Sequence, residues 1–452
     1  RFLHLNLNKC DIGPRAGTVI GLALENLRKL HVVNLSDNAL GEKVAKKIAA
    51  LLTSKKMRIT TLRLSNNDFG TEGCMHLVAV LPNNKTLTDL DISQNGMDRN
   101  VALELAENTS VKMESGIVVR PARLKRLNIS QNDIGSEAGV AIIEALSTEK
   151  TNFLDLSDCG LGPECGEALA RGLRTITCGW IELVLENNNL GKDGVNPIFW
   201  AMRRNTSLLS LDLSGNNIGP VFGTEADGIG SYGTSVASFL EMNYIVRWLD
   251  LANNGISADC GAAFCEAMVE NPSMKCIFME GNSLDHRAGS AVGAKLLYDT
   301  QLEYVDLSGN YISWEGGRDI GEALLENRTL TNLNLTANGI GDRGPLVGDI
   351  FAKVLWINTK LRVLNLAGNR LGPSSGKKIA DALTKNNSLI ELDLSDNRFD
   401  GEVGADYLDA LKHNSVLMVM LLDVKEIGQD IHVLIVEEMM KRQPVQEMSR
   451  RE

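Results

Sequence analysis

The sequence has few of the features that mark metalloenzymes, membrane proteins or disulfide-stapled secreted domains. Only eight of its 452 residues are cysteine, and no two form a Cys-x-x-Cys pair. Scattered cysteines of this kind favour reduced thiols and a cytosolic compartment. Six histidines are dispersed without partners at metal-ligand spacing. No apolar run approaches the ~18 residues of a membrane-spanning helix. We therefore expect no metal site and no membrane insertion.

Motifs for catalysis are missing as well. The nearest match to a phosphate-binding loop, GPSSGKK at 372–378, has the wrong spacing and sits at an ordinary repeat turn. Acid–base chemistry would need carboxylates with shifted pKa values, and no pair stands out from the acidic background. The sequence thus predicts a non-catalytic chain without a cofactor.

One pattern is instead repeated along almost the whole chain. Residues 389–399, LIELDLSDNRF, place Leu389, Leu392, Leu394 and Asn397 on L-x-x-L-x-L-x-x-N-x-L, with Phe399 as the last apolar residue. A short polar side chain at the Asn397 position can hydrogen-bond turn backbone that would otherwise be buried unpaired. This position recurs, mostly at intervals of 27 to 31 residues, at Cys10, Asn38, Asn67, Asn95, Asn132, Cys159, Asn188, Asn216, Asn254, Asn282, Asn310, Asn338, Asn369 and Asn397.

The second half of each repeat has helical periodicity. In residues 135–146, Gly139, Ile142, Ile143 and Leu146 form one apolar stripe. Parallel strands pack about 4.8 Å apart and helices about 10 Å apart, so stacking both must bend the solenoid. We predict an α/β leucine-rich-repeat horseshoe, with parallel strands on the concave face and helices on the convex face. The strands should lie near 3–7, 33–35 and 62–64, and continue to 420–422.

The repeat also sets the predicted domain organisation. Residues 1–415 should form one solenoid of fourteen repeats, because such a fold grows unit by unit around a continuous core. Residues 416–452 should form a degenerate closing repeat, a helix and a mobile tail. The chain opens inside a strand at Phe2, so we expect upstream residues or a partner to cover that edge.

Three segments interrupt the repeat spacing. About nine residues are added within 109–123, about ten within the glycine-rich 220–233, and fewer near 343–357. Insertions in solenoids become loops on one rim, which is often the binding rim. Tolerated surface loops explain the same spacing equally well.

Aromatic side chains interrupt an otherwise polar concave face. At the position between the two strand leucines, six repeats carry Asp and five carry Asn, and both residues are also common in the consensus sequence of such strands. Over three consecutive repeats the face instead presents large rings, with more rings and an arginine close by. We predict a partner-binding surface formed by Arg247, Trp248, Phe278, Tyr304, Tyr311 and Trp314. The alternative is that these rings pack against one another or against the 220–233 insertion.

Positive charge is concentrated at the start of an acidic chain. Residues 1–60 carry eleven basic and four acidic side chains, whereas the whole chain has a net charge of −11. The overall acidity and the lack of a binding motif argue against nucleic acid. The side chains form either a solvated helix face or a patch for an acidic protein surface. The basic patch comprises Lys43, Lys46, Lys47, Lys55, Lys56 and Arg58.

The repeat length and full helix resemble the ribonuclease-inhibitor-like class of leucine-rich repeats. That class includes ribonuclease inhibitor, Ran GTPase-activating proteins, the sensor regions of NOD-like receptors and leucine-rich subunits of cilia. The resemblance implies a cytoplasmic protein-interaction scaffold within a larger complex, with a ciliary, axonemal or cytoskeletal assembly as the specific hypothesis. The alternatives are a Ran-type GTPase-activating protein and a NOD-like receptor sensor region.

Overall fold

Each described repeat has a three-residue strand whose middle side chain is buried, except in the first strand, His4–Asn6, where Leu5 is half-buried. In Glu391–Asp393, for example, Leu392 is fully buried while Glu391 and Asp393 are half-exposed. Because side chains alternate along a strand, the first and third residues share one surface, here named the strand face. The computed structural model describes residues 3–54, 56–110, 112–114, 117–119, 124–148, 150–219, 239–298 and 301–442.

The strands of the described residues follow the repeat spacing. They are β1 His4–Asn6, β2 Val32–Asn34, β3 Thr61–Arg63, β4 Asp89–Asp91, β5 Lys112–Glu114, β6 Ile117–Val119, β7 Arg126–Asn128, β8 Phe153–Asp155, β9 Glu182–Val184, β10 Ser210–Asp212, β11 Trp248–Asp250, β12 Cys276–Phe278, β13 Tyr304–Asp306, β14 Asn332–Asn334, β15 Val363–Asn365, β16 Glu391–Asp393 and β17 Val419–Leu421.

The helices follow the turns, and consecutive helices within a unit pack against one another. In the helix Gly135–Ser147, the residues of the predicted apolar stripe are all buried: Gly139, Ile142, Ile143 and Leu146. The helices are α1 Gly13–Leu24, α2 Glu42–Leu52, α3 Gly70–Val78, α4 Arg99–Thr109, α5 Gly135–Ser147, α6 Glu164–Arg174, α7 Gly191–Met202, α8 Ala258–Val269, α9 His286–Tyr298, α10 Ser313–Glu326, α11 Leu346–Ile357, α12 Gly372–Leu383, α13 Gly401–His413, α14 Val424–Ile427 and α15 Gln429–Met440, with a 3₁₀ turn at Leu81–Asn83.

The chain divides into two compact units, Arg1–Gly219 and Pro220–Glu452. In the first, parallel pairing joins β1, β2, β3, β4, β7, β8, β9 and β10 in that order, and in the second it joins β11 to β17. In the described parts of both units most strands are followed by a helix, whereas β5 and β6 form a separate antiparallel pair between α4 and β7. The predicted α/β solenoid with parallel strands is confirmed.

The predicted strand limits were wrong by one residue. The second strand spans Val32–Asn34 rather than 33–35, and the last spans Val419–Leu421 rather than 420–422. The residue before the first strand leucine joins the pairing, as in the match of Val32 with Thr61. The second leucine begins the turn, which shifts each strand toward the N-terminus.

Buried asparagines connect the turns of successive repeats. The side-chain nitrogen of Asn397 donates to the carbonyls of Leu366 and Leu394, both at 2.9 Å. Its carbonyl oxygen accepts from the backbone amides of Asn369 at 3.2 Å and Leu371 at 3.3 Å. Each such side chain therefore satisfies backbone groups in its own repeat and in the preceding one. The predicted role of this ladder is confirmed.

A second asparagine ladder, which sequence analysis missed, follows the helices. Asn84 donates to the Leu52 carbonyl at 2.8 Å and Asn205 donates to the Leu173 carbonyl at 2.9 Å. Asn414 makes the equivalent bond to Leu383 at 2.8 Å. The signal was present in the sequence, since an asparagine recurs three residues before the first leucine of many repeats. These buried amides stabilise the turn from helix to strand.

Two features of the first unit depart from the repeat pattern. Cys10 is exposed, unlike Cys159 at the equivalent ladder position, because β1 is an edge strand of the sheet and pairs, among the described strands, only with β2. Within 109–123, β5 and β6 pair antiparallel, with Lys112 opposite Val119. The 220–233 insertion and the residues after Arg442 lie outside the described residues.

The first prediction concerns the asparagine ladder. Asn397→Ala should lower the free energy of unfolding by about 2–4 kcal/mol, because buried amides and carbonyls lose their partners. Asn397→Cys should lose less, because the Cys159 thiol at the equivalent position contacts the Ile129 carbonyl at 3.4 Å. Urea unfolding followed by circular dichroism measures both changes. A loss below about 1 kcal/mol for Asn397→Ala would contradict the proposed role.

Candidate protein-binding surfaces

Three aromatic rings form a continuous row on the strand face of the second unit. The ring centroids of Trp248 and Phe278 are 5.1 Å apart, and those of Phe278 and Tyr304 are 4.6 Å apart. Strand register explains the contacts, because Trp248 and Tyr304 both align with Cys276, the residue two before Phe278. The rings therefore pack against one another while remaining half-exposed.

The aromatic row lies in an acidic environment. Burial raises the pKa of the Tyr304 hydroxyl, and the carboxylates of Asp306 and Glu280 raise it further. Cys276 and Glu391 act in the same direction. A field that disfavours a phenolate also favours a cation placed over the rings.

The basic residues beside this row differ in their partners. The Lys275 ammonium forms an ion pair with the Glu303 carboxylate, so its charge is locally compensated. Arg247 is exposed, beside Trp248 in the sequence. Of these two basic side chains, Lys275 is therefore the one held by a carboxylate.

Tyr311 and Trp314 lie beyond the end of β13 rather than in the aromatic row. Tyr311 is 70% exposed and lines a cavity of about 450 Å³ at the turn edge, together with Asp342 and Arg370. Trp314 lies in the first helical turn of α10. Its ring lies below two guanidinium groups, Arg318 at 5.6 Å and Arg343 at 5.9 Å.

The basic patch lies on the second helix and the loop that follows it. Lys43, Lys46, Lys56 and Arg58 are exposed, whereas Lys55 lies outside the described residues. The Lys47 stem packs beside Gly21 of α1. Within the described residues, none of these five basic side chains forms an ion pair.

Aspartates of the strand face have a structural role. The Asp393 carboxylate accepts from the Ser395 amide at 3.0 Å and from its hydroxyl at 2.7 Å, and Asp155 is bonded to Ser157 in the same way. Burial raises the pKa of Asp155, and these bonds lower it. The Asp-x-Ser motif thus stabilises the turn that follows each of these strands.

Within the described ranges, no group of three or more His, Cys, Asp or Glu side chains is arranged to hold a metal ion. None of the described helices combines the length and hydropathy needed to cross a bilayer.

One exposed aromatic escaped the sequence analysis. Trp356 lies on α11, on the helix side of the second unit, and is 59% exposed. Its spacing from Lys353 and Asp349 fits a single helix face, which the sequence could have revealed.

Comparison with known proteins agrees with the repeat geometry. The Leucine Rich repeat family model matches seven segments, at 57–78, 123–142, 152–170, 204–221, 326–344, 358–380 and 385–402. Pig (Sus scrofa) ribonuclease inhibitor is 25% identical over 288 residues, which cover 59% of this chain and 61% of that protein. NACHT, LRR and PYD domains-containing protein 12 of mouse (Mus musculus) is 27% identical over 48% of this chain.

The chain spans only part of these relatives, down to 20% of the mouse protein. Among solved structures, leiomodin-1 actin-binding site 2 is 22% identical, with a TM-score of 0.26, and the match covers 28% of this chain and 71% of that one. Fold and matched repeats together define a leucine-rich-repeat solenoid. Within that class, the chain is similar to ribonuclease inhibitor.

The second prediction separates exposed rings from core residues. Trp248→Ala should lower the free energy of unfolding by about 1 kcal/mol, because the ring remains half-exposed and loses one ring contact. Leu249→Ala, in the same strand, should lower it by about 3 kcal/mol, because Leu249 is fully buried. Urea unfolding of both variants gives the comparison. Equal losses would assign Trp248 to the core.

Proposed function

We propose that the chain is a non-catalytic protein-interaction scaffold that binds a partner protein through the aromatic row on the strand face of its second unit. The row of Trp248, Phe278 and Tyr304 is the observation that carries the proposal. Tyr311, Trp314 and Arg247 extend the same proposed surface at its edges.

The physical support comes from the kind of residue that is left exposed. Aromatic side chains are enriched among interface residues that dominate binding free energy. Ring contacts hold this row in one arrangement before binding, which lowers the conformational entropy lost when a partner docks. Each ring also presents area that a partner can still cover.

The negative charge around Tyr304 indicates which kind of partner surface would bind the aromatic row. The carboxylates around Tyr304, including Asp306 and Glu280, favour a partner that presents lysine or arginine side chains to the rings. Leucine-rich repeats are protein-binding repeats, which agrees with this use of the strand face.

A second candidate is the sensor region of a NOD-like receptor. The match to a NACHT, LRR and PYD domains-containing protein favours it over a GTPase-activating protein of the Ran type. The ciliary, axonemal or cytoskeletal assembly role and the cytoplasmic location remain parts of the proposal that rest on the resemblance in the sequence.

The third prediction tests the aromatic row in binding. Affinity capture with mass spectrometry would first identify a partner, whose dissociation constant is then measured by calorimetry. Changing Trp248 and Tyr304 together to alanine should weaken binding by about 2 kcal/mol or more. Trp200→Ala is the control, because Trp200 is 39% exposed on α7 of the first unit. Equal effects of the two variants, or none from the double change, would place the binding surface elsewhere.

The fourth prediction concerns the basic patch, for which we propose an acidic partner surface. Replacing Lys43, Lys46 and Arg58 together with glutamate should slow association and reduce its dependence on salt, because exposed charges act at long range. Stopped-flow association at several salt concentrations measures both effects. Lys412→Glu is the control, on α13 far along the sequence. An unchanged association rate would identify the patch as a solvated face.

A further inference from the structure

The helix side of the second unit carries an exposed apolar surface unrelated to the aromatic row. Trp356 and Ile357 are 59% and 48% exposed at the end of α11, and Leu346 is 45% exposed at its start. Large apolar side chains that are exposed close together, as Trp356 and Ile357 are, mark interaction surfaces more often than single exposed residues do.

A groove adjoins this face, between α11 and α12. Its floor includes Ala352 and Ala382, which are both buried, and Trp356 forms part of its wall. The cavity volume is about 280 Å³. Small-molecule sites usually range from ~300 to ~1,000 Å³, so this groove better suits an inserted side chain than a cofactor.

Four charged side chains surround the groove in an alternating arrangement. Asp349 on α11 is bonded to Lys378 on α12 at 2.6 Å, which joins the two walls. Lys353 on α11 and Asp381 on α12 also line the groove. Neither of these two takes part in any ion pair recorded for the described residues. One wall therefore offers an unpaired cation, and the other wall offers an unpaired anion.

We propose that a second copy of this chain docks in this groove through two-fold symmetry. In such an interface, if residue i contacts residue j of the partner, then j also contacts i. Lys353 of each copy would then face Asp381 of the other, and each Trp356 ring would enter the opposite groove. A groove lined by one charge sign would repel its own copy, whereas this one is self-complementary.

The proposal stands apart from the proposed binding function, since it uses helices rather than the strand face. Its experiment is sedimentation velocity of the full chain over a wide concentration range. The wild-type chain should dimerise as concentration rises. Trp356→Ala should raise the dimer dissociation constant roughly 30-fold, whereas Trp200→Ala should leave it unchanged.

Charge reversal gives the sharper test of the symmetry. Lys353→Asp or Asp381→Lys alone should raise the dissociation constant roughly tenfold or more, because like charges then face each other. The two changes combined should restore it to within about threefold of wild type, because the swap re-forms both pairs. Circular dichroism melting curves would check that each variant folds. A monomeric wild-type chain, a dimer unaffected by Trp356→Ala, or a double variant as weak as the singles would overturn the proposal.

Discussion

The fold depends on one requirement: a buried turn must not leave its amides and carbonyls unpaired. A three-residue strand pairs few backbone amides and carbonyls through strand hydrogen bonds. The turn that follows each strand is buried, and its backbone groups need other partners. Asn397 shows how side chains meet the requirement, because one amide bonds backbone groups in two successive repeats. Repeats linked in this way are stable only as a stack.

The same requirement determines where function can reside. Three sets of side chains pack in the interior: the middle residues of the strands, the apolar stripes of the helices and the ladder asparagines. Substitutions at these positions therefore disrupt packing. First and third strand residues tolerate any side chain that the neighbouring strands accommodate. The change from Asp250 in β11 to Phe278 at the same strand position in β12 illustrates that freedom. Surfaces built on such positions are rigid because the strands beneath them are fixed, and a rigid surface binds with a smaller entropic loss.

Most of the fold was predictable from the sequence because it is encoded by a repeated spacing. The spacing of the fourteen ladder positions predicted where the strands follow one another along the chain. Apolar periodicity, as in the stripe that ends at Leu146, predicted a helix in each repeat. Spacing alone could not place the strand limits, since pairing extends to residues such as Val32 that precede the leucine pattern. It also could not show that Cys10 is exposed, because burial depends on what lies against a side chain rather than on its position in a repeat.

The candidate surfaces were less predictable, since they depend on contacts between side chains of different repeats. Sequence position suggested that Trp248, Phe278 and Tyr304 share a face, but it left open whether the rings face solvent or one another. In the structure the rings do both. Their centroids lie 4.6 and 5.1 Å apart, so neighbouring rings are in contact, and each ring is still half-exposed to solvent. Mutual packing therefore does not argue against partner binding. It reduces the number of conformations that the rings sample, so a partner that meets the row finds its contact surface already ordered.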